Sequence, residues 1–131
     1  MLTIPIASLL IMAVMPLVGA AAAKWGFESY DNHNPRAWLA QQTGFRARAN
    51  AAQANSLEAF PFFAIGVLLA IWTHVDPVWL DRICVAFVVF RGIYMWAYLT
   101  DRASLRSTVW ALAYLCCISL FVTSMGVSLP L

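Results

Sequence analysis

The segment from Phe45 to Ala70 joins a polar half to an uncharged half in a single run. Arg, Asn and Gln residues are frequent up to Glu58, whereas residues 59–72 carry no charge. If the segment forms one helix, Glu58 lies roughly 18 Å along the helix axis from Arg46. An ionisable side chain at that depth in a membrane is costly, and it typically marks a functional site. The segment therefore predicts a membrane helix that lines a polar pocket.

The composition is that of a membrane protein. Of the 131 residues, 63% are hydrophobic and only 11% are charged, and the mean hydropathy is +0.76. A soluble domain usually carries about a quarter of charged residues. The length suits a single domain, residues 1–131, with about four membrane-crossing helices of roughly 20 residues each. We therefore predict an all-α integral membrane protein, a four-transmembrane-helix bundle in contact with the lipid bilayer. The net charge of +2 comes from scattered basic residues and does not indicate nucleic-acid binding.

Apolar runs predict where the four helices lie: about residues 2–23, 46–72, 78–99 and 106–127. Pro16 and Pro61 fall inside the first two helices and predict kinks there, because proline removes a helix hydrogen bond. Between these two helices, Pro35 suits the first position of a short helix, with Asn34 as its cap and residues 36–42 as its body.

Small and polar residues mark two further helix ends. Gly44 is expected to end the short helix. Ser104 or Ser107 is expected to cap the start of the fourth helix, since a serine oxygen there accepts a backbone hydrogen bond.

Basic residues near the helix ends predict the orientation in the membrane. The side that holds the two termini and the second connection carries only Arg82. The positive-inside rule then places both termini outside the cytoplasm and the first and third connections inside. These two connections carry Lys24, Arg36, Arg46, Arg48, Arg102 and Arg106.

Polar side chains recur at helical spacing on the second and third predicted helices. Spacings of three, four or seven residues place them on one face of each helix. Arg91 lies roughly 13 Å from the helix end near Thr100, close to the depth of Glu58. A pair between Arg91 and Glu58 would lower the cost of burying both charges, so the pattern favours this pair. The stripes comprise Arg48, Asn55 and Glu58 on the second helix and Arg91, Tyr94 and Tyr98 on the third.

Two interpretations of these stripes remain open. They could form a polar clamp between helices and nothing more. Alternatively they line a ligand site, because Gln53 adds an amide and Arg106 and Ser107 open the fourth helix near the same membrane face. Several cations, a carboxylate and amides suit a small zwitterionic ligand with more than one carboxylate. Guanidinium groups hold carboxylates, and Glu58 can hold an ammonium group.

The cysteine and histidine patterns indicate neither a metal site nor a disulfide. Cys84, Cys116 and Cys117 lie in apolar runs, which is typical of cysteines that pack in a core. His33 and His74 lie in loops predicted on opposite sides of the membrane, so they cannot bind one metal ion.

These motifs resemble the MAPEG family, the membrane-associated proteins in eicosanoid and glutathione metabolism, and its bacterial branch in particular. The family's second helix carries an Asn, a Glu three residues later and an aromatic-Pro segment. Here residues 52–58 (AQANSLE) and 60–62 (FPF) are similar to that pattern. Tyr94, Tyr98 and residues 105–107 (LRS) are similar to the family's junction between the third and fourth helices.

The resemblance implies a homotrimer in a bacterial inner (cytoplasmic) membrane that binds glutathione between neighbouring subunits, open to the cytoplasmic leaflet. It also implies that Arg106, with Ser107 nearby, stabilises the glutathione thiolate, and that the thiolate attacks a lipophilic electrophile or hydroperoxide. A guanidinium at a helix start adds to the helix dipole and lowers the pKa of a thiol. The polar groups of the tripeptide would be held by Gln53, Asn55 and Glu58, with Tyr94 and Tyr98 alongside.

One position departs from the family pattern. Catalytic members carry an Arg four residues before the Asn, and that position here is Ala51. Arg48, one turn earlier, is the candidate substitute. The alternative function is therefore a non-catalytic one, a lipid-binding scaffold or an accessory subunit of a membrane complex.

Overall fold

The computed structural model describes residues 2–26 and 29–126. Three of the helices in these ranges are long and apolar enough to cross a membrane, namely α1, α3 and α5 as bounded here. The predicted all-α membrane bundle is thereby confirmed. The helices are α1 (Thr3–Ala23), α2 (Pro35–Ala40), α3 (Gly44–Trp72), α4 (Pro77–Leu99) and α5 (Ala103–Ser124).

The helix α4 has 23 residues and contacts α1, α3 and α5, so it is a full member of the bundle. It carries three charged residues, Asp81, Arg82 and Arg91. Arg91 is only 1% exposed, so its charge faces other helices. A membrane crossing by α4 stays a prediction.

The junction between α2 and α3 differs from the sequence prediction. Asn34 and Pro35 hold the expected cap and first positions of α2, which ends at Ala40. Gly44 was expected to end this helix, but it opens α3 instead. Its φ of +59° lies in the left-handed region, which glycine adopts without steric penalty. The chain can therefore turn sharply into α3 two residues before the predicted start at Arg46.

The fourth long helix also begins earlier than predicted. Arg102 is the N-cap residue of α5 and makes no side-chain capping bond, so the expected serine caps are wrong. The preceding turn is tight, with Arg102 N donating to Ala97 O at 2.8 Å and Asp101 at φ +60°. Because the chain re-enters a helix at once, Arg106 is the fourth helical residue and not the first. The predicted end at Val127 lies outside the described residues.

The long helices share an apolar core. The rings of Phe63 on α3 and Phe87 on α4 stack with centroids 4.0 Å apart. Met12 and Leu120 add fully buried side chains from α1 and α5.

At Gly19 the backbone of α1 comes so close to α3 that an added Cβ would lie 3.0 Å from the backbone nitrogen of Gln53. Small residues commonly permit such close approach between membrane helices.

The connections rich in basic residues meet at one end of the bundle. Arg46 Nη1 on α3 donates to Ala23 O at the end of α1, at 3.3 Å. Arg48 on α3 pairs with Asp101 in the α4–α5 turn, at 3.8 Å. These contacts place the end of α1, the start of α3 and the α4–α5 turn side by side. We refer to this end, with Lys24, Arg36, Arg46, Arg48, Arg102 and Arg106, as the basic end.

Candidate functional site

Arg91 is the centre of a buried polar cluster between α3 and α4. Its Nη1 donates to Asn55 Oδ1 at 2.9 Å and its Nη2 donates to Ser56 Oγ at 3.2 Å. The Ser56 hydroxyl in turn donates to Ala52 O at 2.8 Å. Beneath the guanidinium lies the ring of Tyr94, whose centroid is 4.3 Å from Arg91 Cζ. The two polar stripes therefore lie at the same depth, as predicted, because Arg91 on α4 reaches Asn55 on α3 directly.

The favoured pair between Arg91 and Glu58 is not formed. Within the described residues no salt bridge of 4.0 Å or less involves Glu58, and its side chain is exposed in the single chain. Residues two apart on a helix point about 200° apart, so Ser56 and Glu58 face different ways. Ser56 faces α4 and accepts a hydrogen bond from Arg91. Glu58 therefore points away from α4 and toward a groove beside α5.

Most of the predicted site residues line a groove at the basic end. This Arg106 groove has a volume of about 470 Å³. Arg106 Cζ lies 4.5 Å from the centroid of the Tyr98 ring, and the rings of Tyr94 and Tyr98 meet edge to face at 5.5 Å. The groove is lined by Asn55, Tyr94, Tyr98, Arg106, Ser107, Trp110 and Ala111.

A second groove lies deeper along the same helices. This Glu58 groove has a volume of about 310 Å³, and Glu58, Asn55 and Arg91 give it one polar wall. The remaining wall is mostly apolar and aromatic: Ala59, Phe62, Phe87, Trp110, Ala113, Tyr114 and Cys117.

Asn55 and Trp110 line both grooves, so the two sites are neighbours. Along α5 the wall runs from Arg106 to Cys117, a rise of roughly 16 Å. A charged group bound beside Arg106 would therefore lie close to an apolar group bound in the Glu58 groove. This arrangement can hold a polar reactant and a lipophilic reactant side by side.

Two of the predicted site residues lie away from both grooves. Arg48 pairs with Asp101 and ties α3 to the α4–α5 turn. Gln53 faces α1, where its Cβ would be 3.0 Å from a Cβ added at Gly19. Neither side chain is among those that line the Arg106 groove or the Glu58 groove. The spacing of seven residues predicted that Arg48 shares a face with Asn55, and the resemblance assigned Gln53 to the ligand. Instead, Arg48 points to the α4–α5 turn and Gln53 points to α1.

Sequence reasoning missed three contributors to the site. Ser56 is a buried partner of Arg91. Trp110 lines both grooves, and its ring stacks with that of Tyr114, the third contributor, at 5.4 Å. The sequence does contain a pattern that indicates the two aromatic residues, because Trp110 and Tyr114 follow Arg106 at successive spacings of four on one face of α5.

The two arginines differ in the chemistry that they offer. Arg91 is fixed by neutral partners and is almost inaccessible, so it serves mainly to join α3 to α4. Arg106 is half-buried at the wall of an open groove, where its guanidinium can receive a carboxylate or a thiolate. The described residues contain no group of three or more His, Cys, Asp or Glu side chains that could hold a metal ion.

Comparison with known proteins agrees with the resemblance noted from the motifs. The sequence profile of the MAPEG family matches residues 4–126, which is nearly the whole chain. No curated protein and no solved structure matches the chain significantly. The match covers α2 to α5 and all of α1 except Thr3, and it therefore includes every residue of the two grooves. The chain belongs to the MAPEG family, whose members are membrane proteins of glutathione and eicosanoid metabolism.

Proposed function

We propose that this protein binds glutathione in the Arg106 groove and presents its thiolate to a lipophilic electrophile or hydroperoxide. The observation that carries the proposal is the convergence of Arg106, Tyr98, Tyr94 and Asn55 on one groove of about 470 Å³. Glutathione has two carboxylates, an ammonium group and two peptide bonds. A groove with a guanidinium, phenols and an amide offers hydrogen-bonding partners for each of these groups.

Arg106 is the proposed partner of the thiolate. A nearby guanidinium stabilises a thiolate and lowers the pKa of the thiol, which raises the nucleophile concentration at neutral pH. Since Arg106 is the fourth residue of α5, it acts mainly through its own charge and less through the helix dipole. Ser107, also in the groove wall, adds a hydroxyl donor close by.

The Glu58 groove is the proposed site of the second reactant. Its apolar lining from Phe62, Phe87 and Tyr114 suits a hydrophobic molecule that arrives from the bilayer. Because Asn55 and Trp110 border both grooves, such a molecule would lie next to the glutathione sulfur.

A homotrimer with the basic end in the cytoplasm completes the proposal. Both grooves are open in the single chain, and their aromatic walls are partly exposed, with Trp110 at 44% and Tyr114 at 47%. A neighbouring subunit packed on this face would bury these rings and close the site. The six basic residues of the basic end favour the cytoplasmic side, where glutathione is abundant.

Isothermal titration calorimetry with glutathione tests the proposal directly. The purified protein should bind glutathione saturably at millimolar concentration or below. Arg106→Ala should weaken binding by about tenfold or more, since a hydrogen bond to a charged group contributes about 1.5–3 kcal/mol. Arg102→Ala is the matched control, because Arg102 is also stacked on an aromatic ring, that of Trp96 at 4.7 Å, but lines neither groove. Absence of saturable binding to the wild-type protein would remove the proposal.

A non-catalytic role is the second candidate, and Ala51 is the observation that favours it. Without the arginine that catalytic members carry there, the protein could bind its ligand or a lipid without turnover. Conjugation of glutathione to a lipophilic aryl halide, followed by absorbance, separates the two functions. Binding with no conjugation, and conjugation gained in Ala51→Arg, would support the non-catalytic role for the natural protein.

A further inference from the structure

We propose that a third groove, at the basic end between α1 and the start of α3, binds the phosphate group of an anionic membrane lipid. This Arg46 groove has a volume of about 440 Å³. It shares no lining residue with the Arg106 groove or the Glu58 groove. The proposal is therefore independent of glutathione binding. Its walls are Ala22, Trp25, Gln42, Thr43, Phe45 and Arg46.

Arg46 gives the groove a cation that is held in a fixed orientation. Its Nη1 donates to Ala23 O at 3.3 Å, and its Cζ lies 5.3 Å from the centroid of the Trp38 ring. A guanidinium has five N–H donors, so the bond to Ala23 leaves most of them for an anion. Guanidinium groups bind phosphate oxygens with short, charge-assisted and often bidentate hydrogen bonds.

The cations around this groove lack carboxylate partners within the part of the chain that the structure describes. There the one recorded salt bridge joins Arg48 to Asp101. Lys24, which precedes the groove residue Trp25, lies over the ring of Tyr30 at 5.0 Å. Lys24 and Arg46 therefore add a local positive charge that an anionic ligand can neutralise.

Aromatic side chains make a lipid the better candidate than a free phosphate ion. Trp25 is 78% exposed and Phe45 is 45% exposed, and both belong to the groove. A free phosphate ion gains nothing from contact with exposed apolar rings. A lipid carries acyl chains next to its phosphate, and these chains can pack against the rings. The groove also lies where membrane span α1 ends, the level at which aromatic and basic residues meet lipid headgroups.

Native mass spectrometry of the full-length protein in detergent tests this site. The protein is mixed with equal amounts of phosphatidylglycerol and phosphatidylcholine that carry the same acyl chains. We expect preferential retention of phosphatidylglycerol by the wild-type protein. Arg46→Gln should reduce its apparent affinity for phosphatidylglycerol by about tenfold, as expected for loss of a charged hydrogen-bond partner. Arg36→Gln, which removes an exposed positive charge from the same end, should change it less than twofold.

A second pair of variants avoids the contacts that Arg46 makes to α1 and α2. Thr43 lines the groove and its side chain makes no capping bond, so Thr43→Glu adds a carboxylate beside Arg46 with little structural change. Thr43→Glu should abolish the preference for the anionic lipid, and Thr100→Glu, the same charge change at the end of α4, should preserve it. Equal retention of both lipids by the wild-type protein, or equal effects within either pair of variants, would overturn the proposal. Displacement of the lipid by millimolar inorganic phosphate would also overturn it, because the site would then bind free phosphate.

Discussion

Arg91 and Arg106 sit in the same molecule on neighbouring helices, but their surroundings give them different roles. Arg91 is 1% exposed, and its Nη1 and Nη2 donate to Asn55 and Ser56, while its buried Nε has no partner within the described residues. Arg106 is half-buried, rests on the ring of Tyr98 and faces an open groove. A buried charge that is hydrogen-bonded to a neighbouring helix mainly joins helices, whereas a partly exposed charge in a groove is available to a ligand. The clamp and the proposed ligand site are therefore two adjacent parts of one polar region.

Replacement of Arg91 should have the largest effect on stability. Arg91→Ala removes a fully buried side chain and leaves Asn55 and Ser56 without their partner. We expect a loss of about 2–5 kcal/mol in the free energy of unfolding, the range found for large-to-small changes at buried sites. Unfolding in mixed detergent and denaturant, followed by circular dichroism, measures this loss. Arg102→Ala, at an exposed position, is the control and should change stability by less than about 0.5 kcal/mol. A small effect of Arg91→Ala would contradict its role as a clamp.

Replacement of Tyr98 should affect binding more than stability. Tyr98→Ala removes the ring that holds Arg106, and we expect glutathione affinity to fall by about tenfold, since an ordered cation–π contact contributes about 1–2 kcal/mol. Tyr98→Phe keeps the ring and should lose about threefold or less, as expected for one neutral hydrogen bond. Calorimetric titration with glutathione compares the two variants. Equal losses would show that the hydroxyl, and not the ring under Arg106, carries the effect.

Glu58 separates the two interpretations of the polar region. Because Glu58 makes no salt bridge with Arg91, Glu58→Gln should change the free energy of unfolding by less than about 0.5 kcal/mol. Glutathione affinity should nevertheless fall by a few fold, because an ammonium group bound beside Asn55, where the two grooves meet, would lose the nearby negative charge. Both quantities can be measured on one preparation. A loss of stability above about 1 kcal/mol with unchanged affinity would assign Glu58 to the clamp.

The smallest effect on binding is expected at Gln53. Its side chain faces α1 beside Gly19 and lines neither groove. Gln53→Ala should therefore leave glutathione affinity within twofold of the wild-type value, although the family resemblance assigned Gln53 to the ligand. A tenfold loss would mean that α1 moves or that a neighbouring subunit brings the ligand to this face.

The sequence predicted the helices and the depth of the polar groups, because both follow from apolar runs and from the rise per residue. It could not tell whether Arg91 would meet Ser56 or Glu58. That choice depends on which face of α3 packs against α4, and periodicity alone does not specify a partner helix. The position of Arg106 was also misjudged by one turn, since the tight turn at Asp101 starts α5 earlier than the serines suggested.

A structure of the protein with bound glutathione would show directly whether the ligand and the clamp occupy separate places. We expect density for the tripeptide in the Arg106 groove, in contact with Arg106, Tyr98 and Asn55. In the same structure Arg91 should keep its bonds to Asn55 and Ser56. Density for a glutathione carboxylate on Arg91, with Asn55 displaced, would contradict the separation of the clamp from the ligand site. Glutathione bound outside the Arg106 groove would contradict the proposed function itself.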